Sequence, residues 1–318
     1  MKIKTGFSRC LTAIILLLTV ITTAAGQTSV PSYYVREKHF DEALWSIIVE
    51  LNLDSAFDVG EDNREHISFS VIDLTAEKPV FGGVHHDNFI YPASVYKMYV
   101  GMEVLKQAYA GKFSLYDQYV VSSPNDVDVT KEIGYDPRPL LTHGDTVTIH
   151  YLLDLMITRS DNSAANCLID VAGRPDINLT MLQNNWGGSE VTRKFLKRSV
   201  EDPGYASIRG TETCALHAAD FMYRIHTRTL INPWVSMRMQ SLLGLQLDTT
   251  KVSRGLPANA MFYHKTGWWS FYTHDTGIVD DGKVKYIISV FLPMPENNAR
   301  PRLKMLAEKV HELMLSRH

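Results

Sequence analysis

Three short stretches of the chain carry side chains that can do chemistry. In "YPASVYKMYV" (residues 91–100), Ser94 opens an apolar helical run and Lys97 follows three positions later, the only Ser-x-x-Lys in the chain. On a helix, positions i and i+3 share a face, so the lysine amine can approach the serine hydroxyl. A serine hydroxyl is a poor nucleophile until a neighbour takes its proton, and a helix N-terminus favours the negative charge that then develops. Read alone, the pair is equally an N-capping serine and a solvated lysine. Ser160-Asp161-Asn162 lies 66 residues after Ser94. Ser160 can relay a proton to a leaving group, and the Asn162 amide can hold a substrate carbonyl or the lysine. Asp161 is expected to brace the turn, and all three are also ordinary cap and turn residues. Lys265-Thr266-Gly267 follows 105 residues after Ser160. The lysine and threonine can bind a carboxylate, and the glycine lets a substrate backbone lie against a strand edge.

The elements that must position these residues follow from periodicity. Arg36–Asn52 reads as an amphipathic helix with Phe40, Leu44, Ile47 or Ile48 and Leu51 on one face. His66–Leu74 alternates as a strand, with "PVFGGVHHD" as its returning partner. The helix begun at Ser94 carries Val95, Met98, Met102 and Leu105. Thr148–Thr158 and Ser163–Gly173 read as two helices with a short break at SDN, and Gly173 as a C-terminal stop. Further helices are expected over Thr213–His226 and Pro233–Leu243. The C-terminal part returns to strands, Ala260–Phe271 and Thr273–Pro293 with a tight "DDG" turn, before a last helix bearing Leu303, Leu306, Val310 and Leu313. Strands near both ends with helices between them predict an α+β fold in two lobes. An antiparallel sheet is built from both chain ends, a helical lobe spans about residues 115–255, and a groove lies where the lobes meet.

The first 26 residues are set apart from the fold. Lys2, Lys4 and Arg9 precede the apolar run Leu11–Ile21 and then "TTAAG", the layout of a secretory signal peptide. The run is shorter than the roughly 20 residues that span a bilayer. The expectation is an exported protein, periplasmic or secreted, with residues 27–318 as one catalytic domain and no membrane span after cleavage. That part carries 29 Lys and Arg against 35 Asp and Glu, a formal charge of −6, without a basic block. Nucleic acid is therefore an unexpected partner, and a monomer acting on a small molecule is the expectation. Cys167 and Cys214 are the two cysteines left, and a disulfide between them stays open, since nothing in the sequence sets their distance.

Serine at a helix start, SDN at a helix–helix break and KTG on a strand, in this order, form the set of the class A β-lactamases and penicillin-binding proteins. From about residue 36 to the last helix the chain resembles these penicillin-recognising serine hydrolases, most closely class A. "VTIHYLLDLMITRSDN", "SDNSAANCLID" and "GLPANAMFYHKTG" carry the likeness around the motifs. The resemblance implies the family's two-lobed fold and acylation of Ser94 by a lactam or amide carbonyl, with Lys97 as general base or proton carrier. Ser160 would help protonate the leaving nitrogen, with Asn162 beside the substrate. Lys265 and Thr266 would hold the substrate carboxylate, with Gly267 against it. The backbone N–H groups of Ser94 and Trp268 would make the oxyanion hole. No cofactor or metal is expected. The expected substrate is a β-lactam, or alternatively a D-alanyl peptide or small ester. A lactam-binding protein without turnover is the third reading.

Two departures from the family pattern stand out. Class A enzymes carry a glutamate in an E-x-x-L-N segment between SDN and KTG, which activates the water that releases the acyl group. In Glu190–Thr213 that segment is missing, and Glu201 and Asp202 are the nearest carboxylates. They serve as candidate deacylating bases, or as an acidic turn before Pro203. Many members also carry an arginine on the strand beside KTG. Here "THDTGIV" has His274 and Thr276, leaving Lys251 and Arg254 as possible substitutes or as surface charges. His264 should face away from Lys265. His85–Asp87 reads as loop rather than as a metal site. Trp268 and Trp269 either line the groove or pack the lobes, and Tyr135 is placed on the groove's rim.

Overall fold

The computed structural model describes residues 29–60, 63–128, 136–196 and 210–318. The Leu11–Ile21 run, Tyr135, Glu201 and Asp202 lie outside the described residues.

In chain order, β1 (Val35–Arg36) leads into α1 (Lys38–Glu50), and β2 (Phe57–Asp58) pairs with β3 (Arg64–Glu65) in a small ribbon. β4 (Ser68–Asp73) and β5 (Val80–Val84) follow, then α2 (Lys97–Tyr109). β6 (Gln118–Val120) and β7 (Thr146–Thr148) form a second ribbon before α3 (Ile149–Asp154), α4 (Asn162–Ala172), α5 (Arg174–Gln183), α6 (Ala215–His226) and α7 (Pro233–Leu243). β8 (Met261–Trp269), β9 (Tyr272–Asp280) and β10 (Lys285–Leu292) precede α8 (Glu296–Arg317).

The main sheet has the order β1-β5-β4-β10-β9-β8. The predicted partnership of the two N-terminal strands is present, with Phe69 opposite Val84. The C-terminal hairpin sets Lys265 opposite Thr276. One pairing departs from the expected antiparallel sheet: β1 runs parallel to β5, Val35 beside Val80. The reason is topological, since α1 carries the chain from β1 across the sheet before β5 arrives. A parallel neighbour needs such a crossover, whereas a tight turn can only give an antiparallel one.

Both faces of the sheet are covered. On one side α1 and α8 lay Phe40, Leu44, Ile48, Leu303, Leu306 and Val310 on Val71, Val279, Ile288 and Val290. On the other side the helical middle of the chain packs around α2, whose Met98, Met102 and Leu105 are buried, with α4, α5 and α7 as its main helical neighbours. The inner face of the central strands is polar and small at Ser70, Ser289 and Thr276, all buried. α6 meets these strands through a run that includes Ala215, Ala218 and Ala219. Small residues on both partners let helix and sheet approach closely.

Local chemistry sets the helix ends. Thr148 caps α3 by accepting from the Tyr151 N–H at 3.1 Å, and Asp161 caps α4 by accepting from the Ala164 N–H at 2.7 Å. Gly173, at φ +79°, ends α4 as expected. α5 begins at once behind it with Pro175 in its first turn, where a missing N–H costs nothing. Sequence periodicity did not reveal α5, because its apolar stripe is weak and Leu179 and Leu182 are exposed. Cys167 and Cys214 are both buried free thiols, and burial pushes each up to about 12.

Candidate active site

Ser94 does not stand on regular α-helix. It occupies a single 3₁₀ turn, Ala93–Tyr96, that feeds into α2, and it is half-buried. The residue before it, Ala93, is buried with φ +45°. A non-glycine residue held there costs about 1–3 kcal/mol and persists only where its surroundings fix it. Here the Val95 N–H closes the turn onto the Pro92 carbonyl at 3.0 Å. β8 closes the other side. A Cβ added to Gly267 would sit 2.8 Å from the Pro92 carbonyl oxygen and 3.0 Å from the Ser94 nitrogen. The glycine of KTG thus lets the strand backbone lie directly against the amide of Ser94.

Lys97, one turn after Ser94, is fully buried. Its Nζ donates to the Ser160 carbonyl at 2.7 Å, to Asn162 Oδ1 at 2.7 Å and to Ser160 Oγ at 3.3 Å. The Phe195 ring lies over the same amine, with its centroid 4.3 Å from Nζ. Lys265, also fully buried, donates to Ser160 Oγ at 2.9 Å and to the Thr266 carbonyl at 2.8 Å. Residues drawn from three distant parts of the sequence therefore meet at one hydroxyl. That hydroxyl has two lone pairs and one hydrogen. With the lone pairs facing two lysine amines, the hydrogen is left to point elsewhere.

The backbone that brings Ser160 there is irregular. α3 passes into a π turn, Leu155–Arg159, which ends with Ser160 in the left-handed region at φ 60° and ψ 38°. One residue more than the α-helical count rotates the end of the helix and turns both the Ser160 carbonyl and its side chain toward Lys97. Such turns cluster at functional sites. Asp161 braces it: besides capping α4 it accepts from Arg159 Nη2 at 2.8 Å. Arg159 is itself buried, facing Asp136 at 3.4 Å and donating to the carbonyls of Arg138 and Pro139.

Asn162 opens α4 and is held by a residue that the sequence patterns do not single out. Asp128 accepts from the Asn162 N–H at 2.7 Å and from Asn162 Nδ2 at 3.0 Å. With Nδ2 committed to the carboxylate, the amide oxygen must face Lys97. Phe195 and Asp128 both sit on loops without periodicity, so no spacing rule finds them. A weak signal exists only for Asp128, as one of several acidic and amide residues in "SPNDVDV".

The remaining candidates separate clearly. Thr266 is buried on β8, while Trp268 and Trp269 at the end of that strand are 53% and 64% exposed, too exposed to pack the lobes together. His264 faces away from Lys265, buried against Asp275 Oδ1 at 2.8 Å. Lys251 is buried, paired with Asp248 and with Glu296 at 3.0 Å, so it braces the chain internally, and Arg254 is exposed. His274 is also internal. Its Nε2 donates to the Tyr91 carbonyl at 2.9 Å and its Nδ1 accepts from the Leu292 N–H at 3.2 Å. Complete burial pushes its ring down to about 3, so it is neutral and ties β9 to the segment just before Ser94. His85 packs edge-on against His66, with ring centroids 4.7 Å apart.

An α+β sandwich with a strained serine turn, an SDN break and a KTG strand converging on two lysines is the architecture of a penicillin-recognising serine hydrolase. The chain belongs to the beta-lactamase enzyme family, whose sequence model matches residues 52–312. Among solved structures, a beta-lactamase from Sphaerobacter thermophilus DSM 20745 is 17% identical with a TM-score of 0.70, covering 86% of this chain and 98% of that one. PBP-A is 17% identical with a TM-score of 0.71, covering 91% of this chain and 100% of its own. A class A beta-lactamase from Bacteroides cellulosilyticus DSM 14838 is 18% identical with a TM-score of 0.68, over 87% and 98%. At these identities the likeness is one of fold. No curated protein sequence matches the chain.

Proposed function

We propose that the protein is an acyl-transfer hydrolase in which Ser94 is acylated by a lactam or activated amide, acting foremost as a class A-type β-lactamase. The observation that carries this reading is the convergence of two lysines, Lys97 one turn after Ser94 and Lys265 on the KTG strand, on Ser160 Oγ. In the first step Ser94 Oγ bonds to the carbonyl carbon and its proton passes to Lys97, which acts here as the neutral amine, keeping two donor contacts and turning its lone pair to Ser94. The Ser94 N–H, with that of Trp268, holds the oxyanion. The C–N bond then breaks, and the nitrogen takes its proton through Ser160 Oγ, whose lone pairs already face the two amines. Lys265 and Thr266 meet the substrate carboxylate, while Asn162 supports the carbonyl side of the substrate and Lys97. In the second step water replaces Ser94 on the acyl carbon, with Glu201 or Asp202 as the proposed proton acceptor.

A second reading, a D-alanyl peptidase that forms a persistent lactam adduct, is favoured by the missing E-x-x-L-N segment and by the aromatic ring at Lys97. A related structure, a mutant of PBP-A, is described as an acyl-enzyme complex with penicillin G. We further propose export across one membrane, with residues 1–26 removed, and action as a monomer.

The deciding experiment mixes the protein with a chromogenic cephalosporin and follows colour release and intact mass together. Sustained turnover with little adduct supports the lactamase; a stable adduct with one turnover or fewer supports the peptidase. Ser94→Ala removes the adduct in either case, and lactam hydrolysis that survives this change refutes Ser94 as nucleophile.

A further inference from the structure

Phe195 stands where the chain between SDN and KTG meets the serine turn. Besides covering Lys97 Nζ, its ring stacks on Tyr96, with centroids 5.2 Å apart and 12° between the planes. Its backbone is fixed from α4. The Phe195 N–H donates to Asn166 Oδ1 at 2.8 Å, and Asn166 Nδ2 donates to the Phe195 carbonyl at 3.4 Å. Asn166 is wholly buried, so the ring's place is set from inside the helical lobe. An ammonium over an aromatic face is attracted by the ring's negative quadrupole. The same face is hydrocarbon and neither accepts nor relays a proton.

This bears on the second half of the reaction. To free Ser94, a water oxygen must bond to the acyl carbon while the bond from that carbon to Ser94 Oγ breaks. One proton must travel from the water, by way of a basic group, to Oγ. Lys97 is the amine one turn from Ser94, and the Phe195 ring, backed by Tyr96, covers one side of it with apolar surface. We propose that Phe195 is a positioning residue that lengthens the life of the Ser94 acyl-enzyme. It seats the Lys97 amine on Ser160 and Asn162 for acylation, and it keeps water from reaching Lys97 on the ring side of the ester. The proposal rests on Ser94 acylation and holds for lactam and D-alanyl donors alike.

The test uses the full chain with Phe195→Ala, Phe195→Leu and Phe195→Gln, treated with penicillin G and with a chromogenic cephalosporin. Intact mass and stopped-flow colour release give acylation and adduct decay separately. Adduct decay in Phe195→Ala is expected to quicken about tenfold or more, a barrier change of about 1.4 kcal/mol. Phe195→Leu keeps the apolar bulk and loses the ring face, so it should keep the slow decay while acylating a few-fold more slowly. Phe195→Gln, which places a hydrogen-bonding amide at similar reach, should quicken decay even where the alanine variant folds poorly. A purely structural role would move melting temperature without separating acylation from decay. A Ser94 adduct with the same lifetime in wild type, Phe195→Ala and Phe195→Gln overturns the assignment of Phe195 alone. The absence of any Ser94 adduct in the wild type overturns the acylation reading and this proposal with it.

Discussion

Asp128 grips Asn162 at two points, its carboxylate oxygens accepting from the backbone N–H at 2.7 Å and from the side-chain amide at 3.0 Å. The consequence reaches Lys97, because only this orientation of the amide turns Oδ1 toward Nζ, 2.7 Å away. Asp128 is thus a positioning residue for the proposed proton carrier, acting through the Asn162 amide. Replacing it by alanine frees that amide to rotate and leaves the first N–H of α4 without its carboxylate. Acylation of Ser94 should fall about ten- to a hundredfold, since misplacing a reacting group by about 1 Å costs on the order of a hundredfold in rate. Asp128→Asn, which keeps one acceptor oxygen, should lie between. Burst rates with a chromogenic cephalosporin measure both, and an alanine variant that acylates at the wild-type rate would remove Asp128 from the site.

Gly267 offers a cleaner probe of the proposed oxyanion hole. Its added Cβ would meet Pro92 O at 2.8 Å and the nitrogens of Ser94 and Val95 at 3.0 and 3.1 Å, all backbone atoms that a rotamer change cannot move aside. In Gly267→Ala either β8 or the serine turn must shift, which spoils the alignment of the Ser94 N–H with the strand. Losing one such donor costs about 10²–10³ in rate elsewhere, so a drop of that order in acylation is expected. Circular dichroism should show the fold retained. Acylation within about twofold of wild type would mean the strand does not help stabilise the transition state.

The buried Arg159 is a stability device for the SDN break. It pairs with Asp161 at 2.8 Å and faces Asp136 at 3.4 Å, and both its side chain and that of Asp161 are shut off from solvent. Arg159→Leu would strand the Asp161 carboxylate in the interior, and removing one partner of a buried pair costs about 3–5 kcal/mol. Urea unfolding measures the loss. The double variant with Asp161→Asn should recover part of it, since the unpaired charge is then gone. Strict additivity of the two changes would argue against a coupled pair.

How much of this was legible in the sequence depends on the kind of signal each residue leaves. Phe40, Leu44 and Ile48 on α1, and Leu303, Leu306 and Val310 on α8, repeat at helical spacing because each helix buries one stripe against the sheet. The chemistry-bearing residues at Ser94, Ser160 and Lys265 were found by type and order, and the fold brings their elements together. What could not be read was geometry that leaves no period. The 3₁₀ turn at Ser94, the π turn before Ser160 and the parallel pairing of β1 arise from tertiary packing overriding local preference. Asp128 and Phe195 act from loops, where the sequence fixes neither direction nor distance. By type Lys251 is a candidate substitute for the carboxylate-gripping arginine, and its partners Asp248 and Glu296 place it inside the protein.

His274 and His217 are the most strongly shifted of the histidines that contribute to the acid limb of stability, with His85, His86 and His226 lowered in the same direction by burial. His274 is pushed down to about 3 and His217 to about 4, in each case chiefly by burial, against an ordinary value of 6.5. Between those values and 6.5 the unfolded chain binds protons that the folded protein does not, so folding stability rises with pH across that window. Their full contribution is present above about 6.5 and is lost progressively as pH falls toward 3. Asp136, held below its ordinary 3.8 by Arg138 and Arg159 despite its burial, adds to the same loss only at the acid end. The melting temperature should therefore be nearly flat around neutrality and fall steadily below about pH 6. His274→Gln can keep a donor toward the Tyr91 carbonyl and an acceptor for the Leu292 N–H without titrating. It should start from a lower melting temperature near neutrality and show a shallower acid limb, and combining it with His217→Gln should flatten the limb further. Thermal melts across the pH range check this, and a double variant that loses stability with acid as steeply as the wild type would assign the limb to the other lowered groups, His86 and His226 or the carboxylates Asp248 and Asp281.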